Sequence, residues 1–422
     1  MVEISLELSH GGIMSETSIV VPGHASHPSI VHAPTRRALA PGERLDGRGL
    51  ISFRPLTGPS LLTVRDHLVV RGGDPARLDP DLAALLLIGH LVVEGDEEGE
   101  EVVLDGATGR VFSMWLYEKS PDGAELFPLA PSVGALLRFL GAVDEFRGLR
   151  GRFAALAGRT GPDAVRAAEQ ALTAVFAEEA WGEDGWGPAG PRSGWEHPIP
   201  AIWRIAAVIR PLGLIAGPGR GLALELPEGL LDGVFGAANM VRLTDDQLPP
   251  ALVHGPTRRF LTDVGLPSDG FMFYGPEPEP LPTLPQVWAE SQSDPRHAHL
   301  WHGDEQLPPD AEHLVVLGGL VHDFTVLVDG RTGALFYTET GADHVVPVNT
   351  DLSTLAFTLW LHQREQVLDE EHDFTQDFYH QLADTMIEVL SSVDPTACRP
   401  AEGPDDYRYW PEVFHDEAGG VL

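Results

Sequence analysis

Histidines near the middle of the second half of the chain have the residue types and spacing of a metal site. His297, His299 and His302 lie within six residues and Asp304 follows closely. Imidazole and carboxylate groups at such spacing are typical zinc ligands. The surrounding residues 292–309 are polar and typical of a loop, so a solvated histidine-rich loop is the default interpretation. We therefore predict no bound metal and no cofactor.

A cysteine and a glycine-rich turn are the other candidates for chemistry. Cys398 is the only cysteine, and no general base can be identified beside it, so an incidental thiol is the better interpretation. Residues 217–221 (GPGRG) have the glycines of a phosphate-binding loop. However, Pro218 lacks a backbone N–H and no Lys-Ser/Thr pair follows, which favours a flexible connector. Because the chain also lacks Gly-x-Ser-x-Gly and His-Glu-x-x-His motifs, we expect no enzymatic activity.

Acidic residues determine which partners the chain favours. The 63 Asp+Glu outnumber the 28 Lys+Arg, giving a net charge of −35, of which −26 lies in residues 212–422. Such a charge repels nucleic-acid phosphates and anionic membranes, and it favours a basic partner or simply solubility. One cysteine allows no intrachain disulfide, and neither a signal peptide nor a long apolar stretch is visible, so we expect a cytoplasmic protein.

Two acid-rich segments are candidate partner-binding sites. The run at residues 94–101 lies between two β-rich segments, and two interpretations carry equal weight: a solvated hairpin loop, or a mimic of nucleic-acid phosphates. In residues 405–416, aromatic side chains among acids suit an interface, although Trp410 is expected to pack on its own sheet. The predicted partner-binding residues are Glu94, Asp96, Glu97, Glu98, Glu100, Glu101, Tyr407 and Tyr409.

An internal duplication organises the chain. Residues 31–39 (VHAPTRRAL) return as residues 253–261 (VHGPTRRFL), with seven of nine positions identical. Residues 103–112 (VLDGATGRVF) answer residues 327–336 (LVDGRTGALF). A period this long indicates two tandem domains rather than a solenoid of short repeats. We interpret the repeated arginine pairs, Arg36-Arg37 and Arg258-Arg259, as structural: internal ion pairs or caps of a helix C-terminus.

Each copy is predicted to place strands before helices. The Thr-Arg-Arg segment fits a short helix leading into the first strand. The Asp-Gly-x-Thr-Gly element fits a hairpin turn whose second glycine has positive φ, between strands at residues 102–104 and 110–115, and at 325–328 and 334–338. Apolar periodicity predicts helices at residues 133–140, 164–180, 352–361 and 374–393. Strands followed by helices indicate an α+β fold with antiparallel sheets flanked by helices.

The predicted boundaries follow from the duplication. Residues 1–19 form an N-terminal segment, residues 20–200 a degenerate first domain, residues 201–225 an apolar connector, and residues 226–422 the second domain. Each copy closes on a tryptophan, Trp195 in the first and Trp410 in the second. The duplication is compatible with a pseudo-dimeric monomer.

The second copy resembles the SUKH superfamily, and within it the fourth immunity-protein group common in actinobacteria. The order and spacing of its motifs carry the resemblance, which extends to the first copy from Val31 onward. The similar residues are Phe235-Gly236, Val241-Arg242, Leu248-Pro249, residues 257–261, Gly265-Leu266-Pro267, Phe271, Phe273, Asp329-Gly330, residues 347–352 and Trp410.

The resemblance implies two tandem SUKH-like domains acting as an immunity protein. Such a protein would bind and occlude a basic polymorphic toxin domain, a nuclease or a deaminase. The alternative that the superfamily offers is a non-catalytic regulatory or scaffold module. The family carries no known catalytic residues, so none is transferred to this chain.

Overall fold

Two antiparallel β-sheets with helices between and around them make up the fold, which confirms the predicted α+β class. We call residues 27–215 the first half and residues 217–418 the second half. The computed structural model describes residues 27–39, 45–54, 61–93, 100–178, 197–270, 272–293, 307–321, 323–338, 344–400, 403 and 407–418.

The first half contains one antiparallel sheet of five described strands in the order β1-β2-β3-β4-β5. Short 3₁₀-helices lie at Pro75–Arg77, Pro121–Gly123, Gly151–Leu156 and Arg210–Leu214. The elements are α1 (Ala33–Ala38), β1 (Ile51–Phe53), α2 (Val64–Val70), α3 (Pro80–Ala83), β2 (Leu86–Leu91), β3 (Glu101–Leu104), β4 (Val111–Trp115), β5 (Glu125–Ala130), α4 (Val133–Arg147), α5 (Pro162–Ala177) and α6 (Ala201–Val208).

The second half repeats this order with additions at its start. 3₁₀-helices lie at Ala237–Asn239, Asp245–Gln247 and Ala311–His313, and a π-helical turn at Phe260–Val264. The elements are β6 (Gly217–Pro218), β7 (Leu224–Glu225), α7 (Leu230–Phe235), β8 (Met240–Val241), α8 (Gly255–Arg259), β9 (Leu266–Pro267), β10 (Asp269–Gly270), β11 (Phe273–Tyr274), α9 (Leu284–Ser293), β12 (Leu314–Leu320), β13 (Phe324–Asp329), β14 (Leu335–Thr338), β15 (Val346–Asn349), α10 (Leu352–His372), α11 (Phe374–Val393) and α12 (Tyr409–Ala418).

The two sheets correspond strand by strand. Among the described residues, strands β11 to β15 take the order of β1 to β5, with β10 added at the edge. The irregularities also recur. The pairing of β2 with β3 shifts register between Leu87 and Gly89, and the pairing of β12 with β13 shifts between Val316 and Gly318. A bulge is a specific local feature, so its recurrence at equivalent places supports the duplication that the sequence predicts.

Alternating side chains divide the apolar interior into layers. In β3, Val102 and Leu104 belong to a central core that includes one face of both sheets, whereas Val103 packs on the other side under α2 and α3. In β13, Val326 and Val328 face the same central core and Leu327 faces away. This period-2 alternation is what places each sheet between two layers.

The repeated nine-residue motif and the repeated hairpin contact each other. In the first half the backbone N–H groups of Val31 and His32 donate to Gly106 O (2.9 and 3.1 Å), and His32 Nδ1 lies 2.7 Å from Thr35 Oγ1. Gly109 has a φ of +80°, as predicted, and a Cβ there would collide with His32. The hairpin glycines therefore make room for the motif.

The second half repeats the contact almost atom for atom. Val253 and His254 donate to Gly330 O (2.8 and 2.7 Å), and His254 Nδ1 lies 2.8 Å from Thr257 Oγ1. Gly333 has a φ of +82°. The most similar stretches of the two copies are thus the two sides of one structural contact.

The segment predicted as an apolar connector is part of the central core. Helix α6 packs against α5 of its own half and against α11 of the other. Beyond it, β6 pairs with β7, and the N–H groups of Ala223 and Leu224 donate to the side chains of Asp351 (2.6 Å) and Ser353 (2.9 Å) at the start of α10. Gly217 and Pro218 thus lie in a hairpin, paired with Glu225 and Leu224. The predicted domain boundaries stay a prediction.

Helix α6 also carries the structural counterpart of Trp410. Trp203 is 1% exposed, and its indole N–H donates to Leu129 O at the end of β5 (2.6 Å). Trp410 is fully buried, and its indole N–H donates to Asn349 Oδ1 at the end of β15 (3.0 Å). The prediction that Trp410 packs on its own sheet is confirmed. Trp195, which the sequence pairs with it, lies outside the described residues.

Candidate partner-binding surface

The acidic run of the first half is only partly described. Glu94, Asp96, Glu97 and Glu98 lie outside the described residues. The remaining two lie at the start of β3. Glu100 directly precedes the strand, is 6% exposed and accepts a hydrogen bond from Gln381 of α11 (3.3 Å).

Glu101 is bound within its own half. Its carboxylate lies 3.3 Å from Arg54 Nη2 and 3.0 Å from His67 Nε2. Its side chain is 13% exposed. The expectation that Glu100 and Glu101 form an exposed acidic surface is thus wrong, because both carboxylates serve contacts inside the molecule.

The two candidate tyrosines belong to an aromatic cluster around Tyr337. Tyr409 is 2% exposed and its hydroxyl donates to Met272 O (3.3 Å). Tyr407 is half-buried, and its carbonyl accepts a hydrogen bond from the Tyr337 hydroxyl (3.0 Å). Burial raises the pKa of both Tyr407 and Tyr409 above the ordinary tyrosine value. The expected exposure of Tyr409 is wrong, since its ring fills the interior.

The metal candidate cannot be placed in the fold. His297, His299 and His302 lie outside the described residues. Within the described residues, no group of three or more His, Cys, Asp or Glu side chains is arranged to hold a metal ion. No helix that the structure describes is long and apolar enough to cross a membrane.

A buried polar network fixes the helices of the second half to their sheet. Asp394, 1% exposed, follows α11 and accepts hydrogen bonds from Asn349 Nδ2 (3.0 Å) and from the backbone and hydroxyl of Thr350 (2.9 and 2.6 Å). Thr396 N also donates to it (3.2 Å), and Trp410 donates to Asn349. Burying an acid requires such partners, so the network joins β15, α11 and α12 as one unit.

An exposed tyrosine and five acids mark the outer end of the second half. Tyr274 in β11 is 56% exposed, and Asp269 in β10 is its partner across the ladder. The loop after β11 is held against the 3₁₀-helix at 245–247, because Gln247 Nε2 donates to Pro278 O (2.8 Å). We call the exposed acids of this region the acidic rim: Asp245, Asp246, Asp269, Glu277 and Glu279.

The rim has the chemistry of a protein-binding surface. An amphipathic aromatic side chain supplies contact area at low entropic cost, and surrounding acids favour encounter with a basic partner. Only Asp245 of the five makes an ion pair, with Arg258 (2.9 Å), in the part of the chain that the structure describes. The rim lies in the half that carries most of the negative charge.

Where the two halves meet, one carboxylate bridges two arginines. Glu388 of α11 accepts from Arg147 of α4 through Nε and Nη2 (2.6 and 2.5 Å) and pairs with Arg210. Burial alone raises the Glu388 pKa, but the two guanidinium groups outweigh it and lower the pKa to about 2. Beside this bridge lies an open groove of about 760 Å³, lined by both halves. The bridge is a structural contact between the halves.

The comparison with family models decides what the second half resembles. Residues 226–416 match the model described as SUKH-4 immunity protein. The second half is SUKH-4-like. A search of curated proteins and a search of solved structures found no match to the chain.

The SUKH-4 match covers the features described above for the second half. It contains the acidic rim, the Val253–Thr257 motif, the Asp394 network and Trp410. The sequence motifs that carry the resemblance are largely structural in this geometry, because Thr257 packs on the hairpin and Asn349 on Asp394. The sequence analysis did not identify the rim, because its acids are scattered over 35 residues and the fold brings them together. Tyr274, which is exposed in the structure, was the one residue type that could have indicated a binding surface there.

Proposed function

We propose that this chain is an immunity protein that binds a toxin domain and occludes its active cleft. The match of residues 226–416 to the SUKH-4 immunity protein model is the observation that carries the proposal. The absence of any recognisable catalytic motif in the sequence supports binding rather than catalysis. The predicted toxin is basic, a nuclease or a deaminase, because the chain has a net charge of −35.

The acidic rim with Tyr274 is the proposed contact surface. Its carboxylates would steer a basic domain, and the tyrosine would provide the buried anchor once the partner is seated. We further propose that the first half is a diverged copy of the same domain, since its strand order and bulges repeat those of the matched half. The cytoplasm is the proposed location, as the single cysteine suggests.

Capture of the partner from the host's lysate tests the function. The tagged full-length chain is incubated at low salt, washed at high salt, and the eluted proteins are identified and assayed for nuclease and deaminase activity. We expect one basic enzyme whose activity falls to background when the chain is added back in equimolar amount. Recovery of housekeeping proteins without such an activity would support the regulatory or scaffold alternative instead.

Charge reversal tests the contact surface. Glu277→Lys with Glu279→Lys should lower the association rate roughly tenfold at low salt, and Tyr274→Ala should mainly raise the dissociation rate. Glu125→Lys is the matched control, because Glu125 is an exposed acid at the start of β5 in the first half. Equal effects of the control and the rim variants would place the contact elsewhere.

A further inference from the structure

The motif shared by the two copies has a buried side and an exposed side. The buried side is explained by packing, since Thr35 and Thr257 are 2% and 0% exposed and bond to the preceding histidines. The exposed side is also shared. Val31 is 60% exposed and Val253 is 65% exposed at the equivalent position.

Arginines accompany the exposed valine in both halves. Arg36, Arg37 and Arg259 are exposed, and none of them forms an ion pair with the residues that the structure describes. Only Arg258 fits the predicted internal role, through its contacts with Asp245 and Leu252 O. All four lie in the last turn of a short helix, as expected, where a cation interacts favourably with the helix dipole.

Unpaired arginines are unexpected in a chain with this charge. The sequence has 63 acids for 28 basic residues, so pairing partners are abundant. Yet both copies keep, on one seven-residue stretch, an exposed valine and an exposed arginine without an ion pair among the described residues; Arg37 donates only to Ala33 O of its own helix (3.4 Å). A guanidinium group recognises a carboxylate bidentately, and an adjacent valine adds apolar contact area.

We propose that the two motifs form equivalent docking sites, which we call the Val–Arg faces, for an acidic peptide segment of a partner protein. The first consists of Val31, Arg36 and Arg37, and the second of Val253 and Arg259. A nucleic acid is the less suitable occupant, because its phosphates make no use of the exposed valine. The second face adjoins the acidic rim, because Arg258 of the same motif pairs with Asp245 (2.9 Å), but the two surfaces are proposed for partners of opposite charge and are tested by different variants.

Methyl NMR of the full-length chain tests the Val–Arg faces. Valine methyl groups are labelled, the signals of Val31 and Val253 are assigned with Val31→Ile and Val253→Ile, and the probe is the peptide acetyl-Glu-Glu-Val-Glu-Glu-amide. We expect both signals to shift with the same midpoint. Arg37→Glu should abolish the shift at Val31 alone, and Arg259→Glu the shift at Val253 alone. Arg65→Glu is the control, since Arg65 is exposed on α2 outside both faces.

Three results would overturn the proposal. The first is no shift at either valine while the unchanged spectrum shows an intact fold. The second is an equal shift with the peptide in which glutamine replaces glutamate, which would remove the role of charge. The third is a shift by a thymidine oligonucleotide at lower concentration than the peptide, which would make nucleic acid the occupant.

Discussion

The two halves attach their helices to the same sheet topology by different chemistry. In the second half, Asn349 ends β15 and joins Asp394 and Trp410 through buried hydrogen bonds. Ala130 takes the equivalent place in the first half, because it pairs with Val111 as Asn349 pairs with Leu335. There the indole of Trp203 bonds to a backbone carbonyl and no carboxylate is involved.

This difference separates what the fold requires from what one copy has added. Strand order, bulges and the contact between motif and hairpin occur in both halves, so the topology does not depend on the polar network. The network occurs in the half that matches SUKH-4. Apolar alternation and local turn chemistry are therefore enough to specify the sheet, and the network adds attachment strength.

Removing the Asp394 carboxylate should have the largest effect on stability, because it removes the polar network in which the two halves differ. Asp394→Ala leaves the donors of Asn349, Thr350 and Thr396 without their acceptor, and Asn349 is 1% exposed. We expect a loss of about 4 kcal/mol in the free energy of unfolding, because unpaired buried polar groups retain their full desolvation cost. Urea unfolding followed by circular dichroism measures it.

The matched change in the first half is Trp203→Phe, which removes the hydrogen bond to Leu129 O together with the pyrrole part of a buried indole. We expect a cost of about 1–2 kcal/mol for it. If both variants cost the same, the two halves are attached equally and the polar network contributes no additional stability.

Glu388→Gln should have the next largest effect, because it acts on the bridge between the halves. The change leaves Arg210, whose side chain is 4% exposed, without its carboxylate. We expect a loss of about 2–3 kcal/mol at pH 7, discounted because Glu388 is one-third exposed. Glu145→Gln is the control, since Glu145 pairs with Arg152 inside the first half at the surface.

The bridge also predicts a pH dependence. The Glu388 pKa falls from 4.5 to about 2 in the folded chain, so its stabilisation is complete above pH 4.5 and is lost as the pH falls towards 2. The difference in Tm between the wild type and Glu388→Gln should therefore shrink steadily below pH 4.5. A difference that stays constant down to pH 2.5 would show that the charge of Glu388 does not hold the halves together.

Alanine at the hairpin glycines tests a contact that the two halves share, rather than one in which they differ. At Gly109 and Gly333 the positive φ disfavours a Cβ, and the added methyl would collide with His32 or His254. We expect each variant to lose about 2–3 kcal/mol, with the two losses equal within error in thermal unfolding. Gly158→Ala is the control, because Gly158 also has positive φ but no atom within 4 Å of an added Cβ.

The sequence alone predicts much of this fold but few of its buried polar contacts. Residues 374–393 were predicted as a helix from apolar spacing, and α11 has those bounds; both Asp-Gly-x-Thr-Gly hairpins are also confirmed. These signals are local. The contact of Thr35 with a hairpin some 70 residues later, and the burial of Glu100 and Tyr409, depend on tertiary packing that no local pattern records.

The internal contacts of Glu100, Glu101 and Tyr409 were not predicted for the same reason. An acidic run is a surface in most proteins, but Glu101 meets Arg54 and His67 only once β1, β3 and α2 are assembled. Conversely, the acidic rim joins residues 245 and 279, whose proximity follows from a hydrogen bond between Gln247 and Pro278. The charge composition predicted that the binding surface is acidic, but the position of that surface follows only from the topology.

The smallest expected effect tests how alike the two motif contacts are. Thr35→Val and Thr257→Val keep the side-chain shape and leave the histidine Nδ1 without its partner hydroxyl. Each should cost about 1 kcal/mol, and the double variant about twice that, because the two sites share no partner. Thermal unfolding of the two single variants and the double variant measures both terms. Unequal costs, or a double variant that loses less than the sum of the two single losses, would mean that the threonine–histidine contact is weaker in one copy. The two copies would then be more similar in sequence than in how this contact holds the hairpin.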